Sequence, residues 1–310
     1  MLTDEPHWRE HRFWAMGSPA HLIAGGAPST LVEWAVDEME RLEQRWSRFR
    51  PDSELSRLTA QAGAWVVVSP ELFGALARAR LLWERTLGAF DPTVLEALVA
   101  LGYDRTFSAV EQDGRGAFPA PSAVPGFGAV ELDDAGSGVR IPLGTTLDLG
   151  GLGKGLAADL VAEGLVERGA VAALVGLGGD IRTAGAVPEG GWRIPVLDPF
   201  DASSVLREEV LGAEAVVTST SLMRRWRRGG RTVHHILDPI SGLPAETDVV
   251  AVVARGAEAW WAEGLAKAAM VVGEEGSSSL LNGTGVSAAL FRRDRSVVLI
   301  GAETVACSQS

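Results

Sequence analysis

Residues 147–159 read LDLGGLGKGLAAD, and the parsing of the whole chain turns on this stretch. A short run at 145–149 enters the loop Gly150-Gly151-Leu152-Gly153-Lys154-Gly155, after which Leu156, Leu160 and Leu165 recur at helical spacing as far as Gly169. The expected order is strand, glycine loop, helix. A loop of this kind presents backbone N–H groups at a helix N-terminus, where they attract phosphate. Two well-known versions fail here. A Walker loop would need glycine where Asp148 stands and Ser or Thr where Gly155 stands, and the dinucleotide fingerprint would need a third glycine in place of Leu156. These residues leave a phosphate site and a tight structural turn equally open, with Asp148 and Lys154 flanking the loop.

Outward from the loop, further elements follow. Toward the C-terminus, 171–177 reads as a buried strand ending in Gly178-Gly179-Asp180, and 192–197, 215–217, 233–237, 249–253 and 297–300 read as more strands. Residues 257–272 read as a helix. Toward the N-terminus, Leu31, Trp34, Ala35, Met39, Leu42 and Trp46 lie at helical spacing, and Thr30 with Glu33 has the form of a capping box. A second helix starts at Ser69-Pro70 and stops near Gly88. Residues 112–128 are rich in Gly, Pro, Ala and Ser without a period, so they read as a loop or an inserted segment. Strands and helices that do not alternate strictly point to α+β or mixed α/β packing.

Composition excludes several classes of function. The chain has 310 residues, 46% of them hydrophobic, with 28 Lys and Arg against 40 Asp and Glu, a net charge of −12. A protein this acidic repels a nucleic-acid backbone or an anionic membrane over most of its surface. The single cysteine, Cys307, excludes an intrachain disulfide and any cysteine-rich zinc site. The first residues, MLTDEPHWREHRF, lack the positive charge and apolar core of an export signal, and no run reaches the length of a membrane span. The expectation is a cytoplasmic protein with neither nucleic-acid nor membrane partners.

Three other groups of residues invite a chemical reading. In VHHILDPISGLP, His235 precedes Asp238-Pro239 and a turn, and on a strand His234 would face the opposite way. Such a histidine can be a general base, a phosphate contact or a hydrogen-bonded structural residue, the last being the commonest. Glu263 and Lys267 have the spacing of an ordinary helical ion pair. The basic run RRWRRGGR, 224–231, reads as a solvated hairpin or helix end.

Taken in order, these segments resemble the ApbE family, the FAD:protein FMN transferases. The matching pieces are Met16-Gly17-Ser18, WSRFRPDSELSRL (46–58), GAFDPTV (88–94), LDLGGLGKGLAAD (147–159), GLGGDI (176–181), VVTST (216–220), HILDPISGLP (235–244) and AEGLAKAAMVVG (262–273). The resemblance implies one ApbE-like domain over 1–310, with two interleaved α/β halves and the flavin cleft between them. It implies FAD as substrate or ligand, and transfer of FMN to a Thr or Ser hydroxyl of a target protein with release of AMP. A flavin-binding paralogue without transfer and an FAD pyrophosphate hydrolase are the alternatives.

By the same resemblance, Met16, Phe49, Ala89, Phe90, Asp91, Asp148, Lys154 and Leu237 are flavin-binding positions and His235 is near the chemistry by its motif; for transfer, His235 and Asp91 are the candidate proton-handling or orienting groups. A magnesium ion would be held by the carbonyl of Gly151 and by three helix positions occupied here by Glu263, Ala266 and Lys267. The departures concentrate at those three. Where the family has Asp, Ser and Thr, this chain removes two oxygen ligands and adds an ammonium. Either Lys267 takes over part of the neutralising role or the ion is lost.

Overall fold

The computed structural model describes residues 7–114 and 116–301; Cys307 lies outside them. Eight strands form one sheet: β1 (Trp8–Ala15), β2 (Ser18–Gly25), β3 (Ala172–Leu177), β4 (Asp180–Gly185), β5 (Ala215–Thr220), β6 (Val249–Gly256), β7 (Ser287–Arg292) and β8 (Val297–Ile300). They lie side by side in chain order and every neighbouring pair is antiparallel. The chain therefore has the α+β organisation expected. The join between the first four strands and the last four is narrow: only Arg182 and Ile181 of β4 pair with β5.

The four long helices pack on one face of the sheet. They are α1 (Ser29–Trp46), α2 (Pro70–Arg85), α3 (Gly153–Glu167) and α4 (Ala259–Leu281). Alternation along the strands divides the core: Val175, Leu177, Val217 and Val252 pack with the helices, whereas Leu174, Val216 and Val253 pack beneath the hairpin Trp192–Asp198/Asp201–Leu211. Both sheet faces are thus covered by apolar side chains, which is why α3 and β3 read as almost uniformly apolar.

Several local expectations hold, and others fail for identifiable reasons. Ser69 caps α2, its hydroxyl accepting from the Leu72 N–H at 3.2 Å, with Pro70 in the first turn. The Thr30–Glu33 capping box is not formed: α1 starts at Ser29 after Pro28, so Thr30 already lies inside the helix. Residues 145–149 join no ladder; the Asp148 N–H donates instead to the Pro92 carbonyl at 2.8 Å. The expected strand 233–237 is split, His234 ending one hairpin and Leu237 starting another. The helix expected over 257–272 continues to Leu281 across a break at Gly273, whose φ of 69° suits glycine. Most of 112–128 is loop, and it is tied to the turn after His235 by bonds from Ser122 N to Ser241 O and Val124 N to Pro239 O, at 2.8 and 2.9 Å.

Among the glycines of 150–155, Gly155 serves close packing. A Cβ on Gly155 would stand 2.6 Å from the backbone of Ala259, so this glycine lets α3 cross the start of α4. Asp159, one turn further on, accepts from the N–H groups of Ala259 and Trp260, both at 2.9 Å, and so caps α4 from the side. No described helix is long and apolar enough to cross a membrane.

Candidate functional site

Two long connections border a cleft of about 560 Å³. One runs from β2 to β3 and carries α1, α2 and the glycine loop; the other runs from β5 to β6 and carries His235. The tight β1–β2 turn adds Met16, held at a positive φ of 48°, with its N–H donating to a Glu43 carboxylate oxygen at 2.7 Å. Met16, Phe49, Ala89, Phe90, Asp91, Asp148, Gly151, Lys154, His235, Leu237 and Lys267 all line this cleft. Glu263 does not reach the surface; its side chain is fully buried behind the two lysines.

The floor is an ionic cluster. Lys154 pairs with Asp180, and its Nζ lies 3.1 Å from Glu263 Oε1. Lys267 Nζ donates to the same Oε1 at 2.7 Å, and Gly155 N donates to Oε2 at 2.8 Å. The pair expected between Glu263 and Lys267 does form, but buried in the cleft floor. Burial disfavours charge throughout, lowering the Lys267 pKa and raising that of Asp180. At Glu263 and Lys154 the opposite charges outweigh burial, so the carboxyl is held well below its usual range and the ammonium above its own.

The walls combine Phe49, an expected position, with Arg48, Tyr103 and Arg224, which were not expected there. Arg48 bonds Asp148 at 3.1 Å and stacks its guanidinium 4.0 Å from the Phe49 ring centroid and 4.6 Å from that of Tyr103. Arg224 reaches the Tyr103 hydroxyl and Ser18 Oγ, each at 3.4 Å. The run 224–231 is indeed a hairpin, but its first arginine precedes the strands and turns into the cleft. A usable signal existed for Arg48, which sits inside WSRFR. Tyr103, the chain's lone tyrosine, had none.

His235 lines the cleft while His234 lines a separate pocket, the opposed facing expected of the pair. Burial depresses the His235 pKa well below its ordinary value, and Arg224, Lys267, His234 and Lys154 add to the effect. Its Nδ1 is buried without a hydrogen-bond partner among the described residues. The Asp91 carboxylate is in the reverse situation. It accepts from Thr93 N at 2.8 Å, Thr93 Oγ1 at 2.6 Å, Trp83 Nε1 at 2.9 Å and Phe127 N at 3.1 Å. These four donors fill its acceptor positions.

The residues at the expected magnesium position do not fit the ion. Both Glu263 oxygens are already engaged, Ala266 offers no donor, and the Lys267 ammonium occupies the side facing the cleft. Among the described residues no group of three or more His, Cys, Asp or Glu could hold a metal. The residues present at Gly151, Glu263 and Lys267 thus do not complete the magnesium site that the resemblance implies, because a hard dication needs several free oxygens and no adjacent cation.

Known proteins resemble this chain over most of its length. The FAD:protein FMN transferase of Treponema pallidum is 34% identical over 303 residues, covering 87% of this chain and 80% of that protein. The protein of the same name from Vibrio cholerae is 31% identical over 257 residues, covering 81% and 76%. Among solved structures, an ApbE protein from Thermotoga maritima superposes with a TM-score of 0.83 at 26% identity, covering 95% of this chain and 97% of the other. The apo flavinyl transferase ApbE of Pseudomonas stutzeri gives 0.78 at 25% identity, covering 96% of each. The sequence pattern of the ApbE family matches residues 16–291, and the chain belongs to that family.

Proposed function

We propose that this protein transfers FMN from FAD to a serine or threonine hydroxyl of a target protein and releases AMP. The observation that carries this reading is the convergence of segments far apart in sequence on one cleft whose floor and walls are cationic. Lys154, Lys267 and Arg224 line it together with the N-terminus of α3, a favourable setting for a pyrophosphate. Phe49, Tyr103 and the Arg48 guanidinium supply flat faces for a ring system. The named relatives act on FAD and protein, and this cleft suits that pair of substrates.

In the reaction the acceptor oxygen attacks the FMN phosphorus, the bond from that phosphorus to the oxygen bridging to AMP breaks, and AMP leaves with the electron pair. His235, neutral in the free protein, takes the hydroxyl proton. Bound pyrophosphate offsets the cations that depress its pKa and so makes it a better base. Of the two roles open to Asp91, the orienting one fits its setting: with four donors on its carboxylate it positions the loop that carries Ala89 and Phe90 and takes no part in proton transfer.

The test is incubation with FAD and a co-expressed acceptor, with AMP measured by chromatography and covalent flavin by in-gel fluorescence. Equimolar AMP and protein-bound flavin are expected, with the rate falling only on the acid side where His235 protonates. His235→Asn should lower kcat by about 10²–10⁴-fold while leaving FAD affinity within a few-fold. AMP with free FMN would instead indicate hydrolysis, and tight FAD binding without AMP a binding paralogue.

A further inference from the structure

A pyrophosphate diester brings two negative charges, and the cleft must meet them with cations that are already in place. Lys267 is such a cation. It stands one helical turn beyond Glu263 on α4, and the 2.7 Å bond to Glu263 Oε1 fixes where its ammonium sits. Its side chain is 14% exposed, and that exposure opens into the cleft. Arg224 has no carboxylate partner among the described residues, only the two long bonds to Tyr103 and Ser18. Lys154 is held between Asp180 and Glu263. Three cations therefore face two carboxylates, and a positive charge is left for a ligand.

The same cluster is poorly suited to a divalent ion. Glu263 Oε1 already accepts from both Lys154 and Lys267, and a metal on Oε2 would have to share that oxygen with the Gly155 N–H that joins α3 to α4, beside two ammonium groups. With Ala266 beside it, no neighbouring hydroxyl completes a coordination shell. An ammonium with three donors can bond the carboxylate and a phosphate oxygen at once, which an ion in the same place would do only after shedding water.

We infer that Lys267 is the built-in cation for the pyrophosphate of FAD, so that this chain binds its substrate without a divalent metal. The inference rests on the FAD reading above and adds to it the means of charge neutralisation. Lys267 acts on the phosphates and not on the flavin ring, which separates it from a merely structural lysine. Riboflavin, which has the ring and no phosphate, should not sense its loss.

The experiment is a set of titrations of the whole protein with FAD and with riboflavin, each in EDTA and in excess magnesium, for the natural sequence and for Lys267→Met. FAD affinity of the natural protein should agree within about twofold between EDTA and magnesium. Lys267→Met should weaken FAD by about tenfold or more, the loss expected for a charge-assisted contact, and leave riboflavin unchanged. Manganese(II) added to the natural protein should keep its full free-ion EPR signal. Magnesium-dependent FAD binding by the natural protein would overturn the inference and leave the transferase reading standing, as would equal losses for FAD and riboflavin in the variant. Failure of the natural protein to bind FAD under either condition would overturn both. Because the magnesium comparison uses the natural protein, a variant that fails to fold does not spare the inference.

Discussion

Replacing Asp91 with alanine tests whether this residue positions the loop or moves protons. The substitution removes an acceptor from four donors, of which Thr93 N, Trp83 Nε1 and Phe127 N cannot rotate away. Each buried donor left unpaired costs about 1–3 kcal/mol. Water entering the vacated space recovers part of this, so the expected loss is about 3–5 kcal/mol, at the high end for a single substitution. At about 2.1 cal/mol/K per residue, a chain of 310 residues unfolds with an entropy of about 0.65 kcal/mol/K, so Tm should fall by about 5–8 °C. Asp91→Asn keeps the shape and one acceptor oxygen and should cost roughly half as much. Urea unfolding followed by tryptophan fluorescence measures the loss. FAD affinity should fall in parallel, since the loop carries Ala89 and Phe90 into the cleft. A stable Asp91→Asn protein with unchanged Tm, intact FAD binding and AMP release reduced a hundredfold or more would return Asp91 to the proton chemistry and refute the argument.

Other outcomes follow from the same geometry. Gly155→Ala should destabilise by about 1–3 kcal/mol in thermal melts, because its methyl would meet the Ala259 backbone at the α3–α4 crossing, whereas a loop glycine needed only for ligand approach would leave Tm unchanged. His234 faces away from the cleft, and burial first, then Arg225 and Arg293, push its pKa down to about 4. Its folded value lies below the ordinary 6.5, so the stability it contributes is present above pH 6.5 and is lost as pH falls toward 4. His234→Gln should flatten the denaturation midpoint over that window, and an unchanged slope would show that His234 is not the group responsible.

The sequence by itself determined which segments act together. Periodicity marked α1 and the core of α3, Ser69-Pro70 marked the start of α2, and the ordered motifs from Met16 to Gly273 pointed to one family and to residues that do line one cleft. Such features are legible because caps, helical stripes and short motifs are fixed by neighbours in the chain. The N-terminal hairpin β1–β2 escaped notice, since β1 carries His, Arg and Glu on an exposed edge strand and has no buried alternation to betray it. Tertiary structure alone decided the chemistry of the floor. From spacing, Glu263 and Lys267 are a surface ion pair, but α3 lies across the start of α4, brings Lys154 and Gly155 N to the same carboxylate and encloses all of them. It likewise decided that Asp91 is spent on four donors from three separate segments, while His235 stays neutral among cations from three others. Charge, burial and free valence at a side chain are set by what the fold packs around it, and such a neighbour can lie a hundred residues away along the chain, as Gly155 does from Glu263.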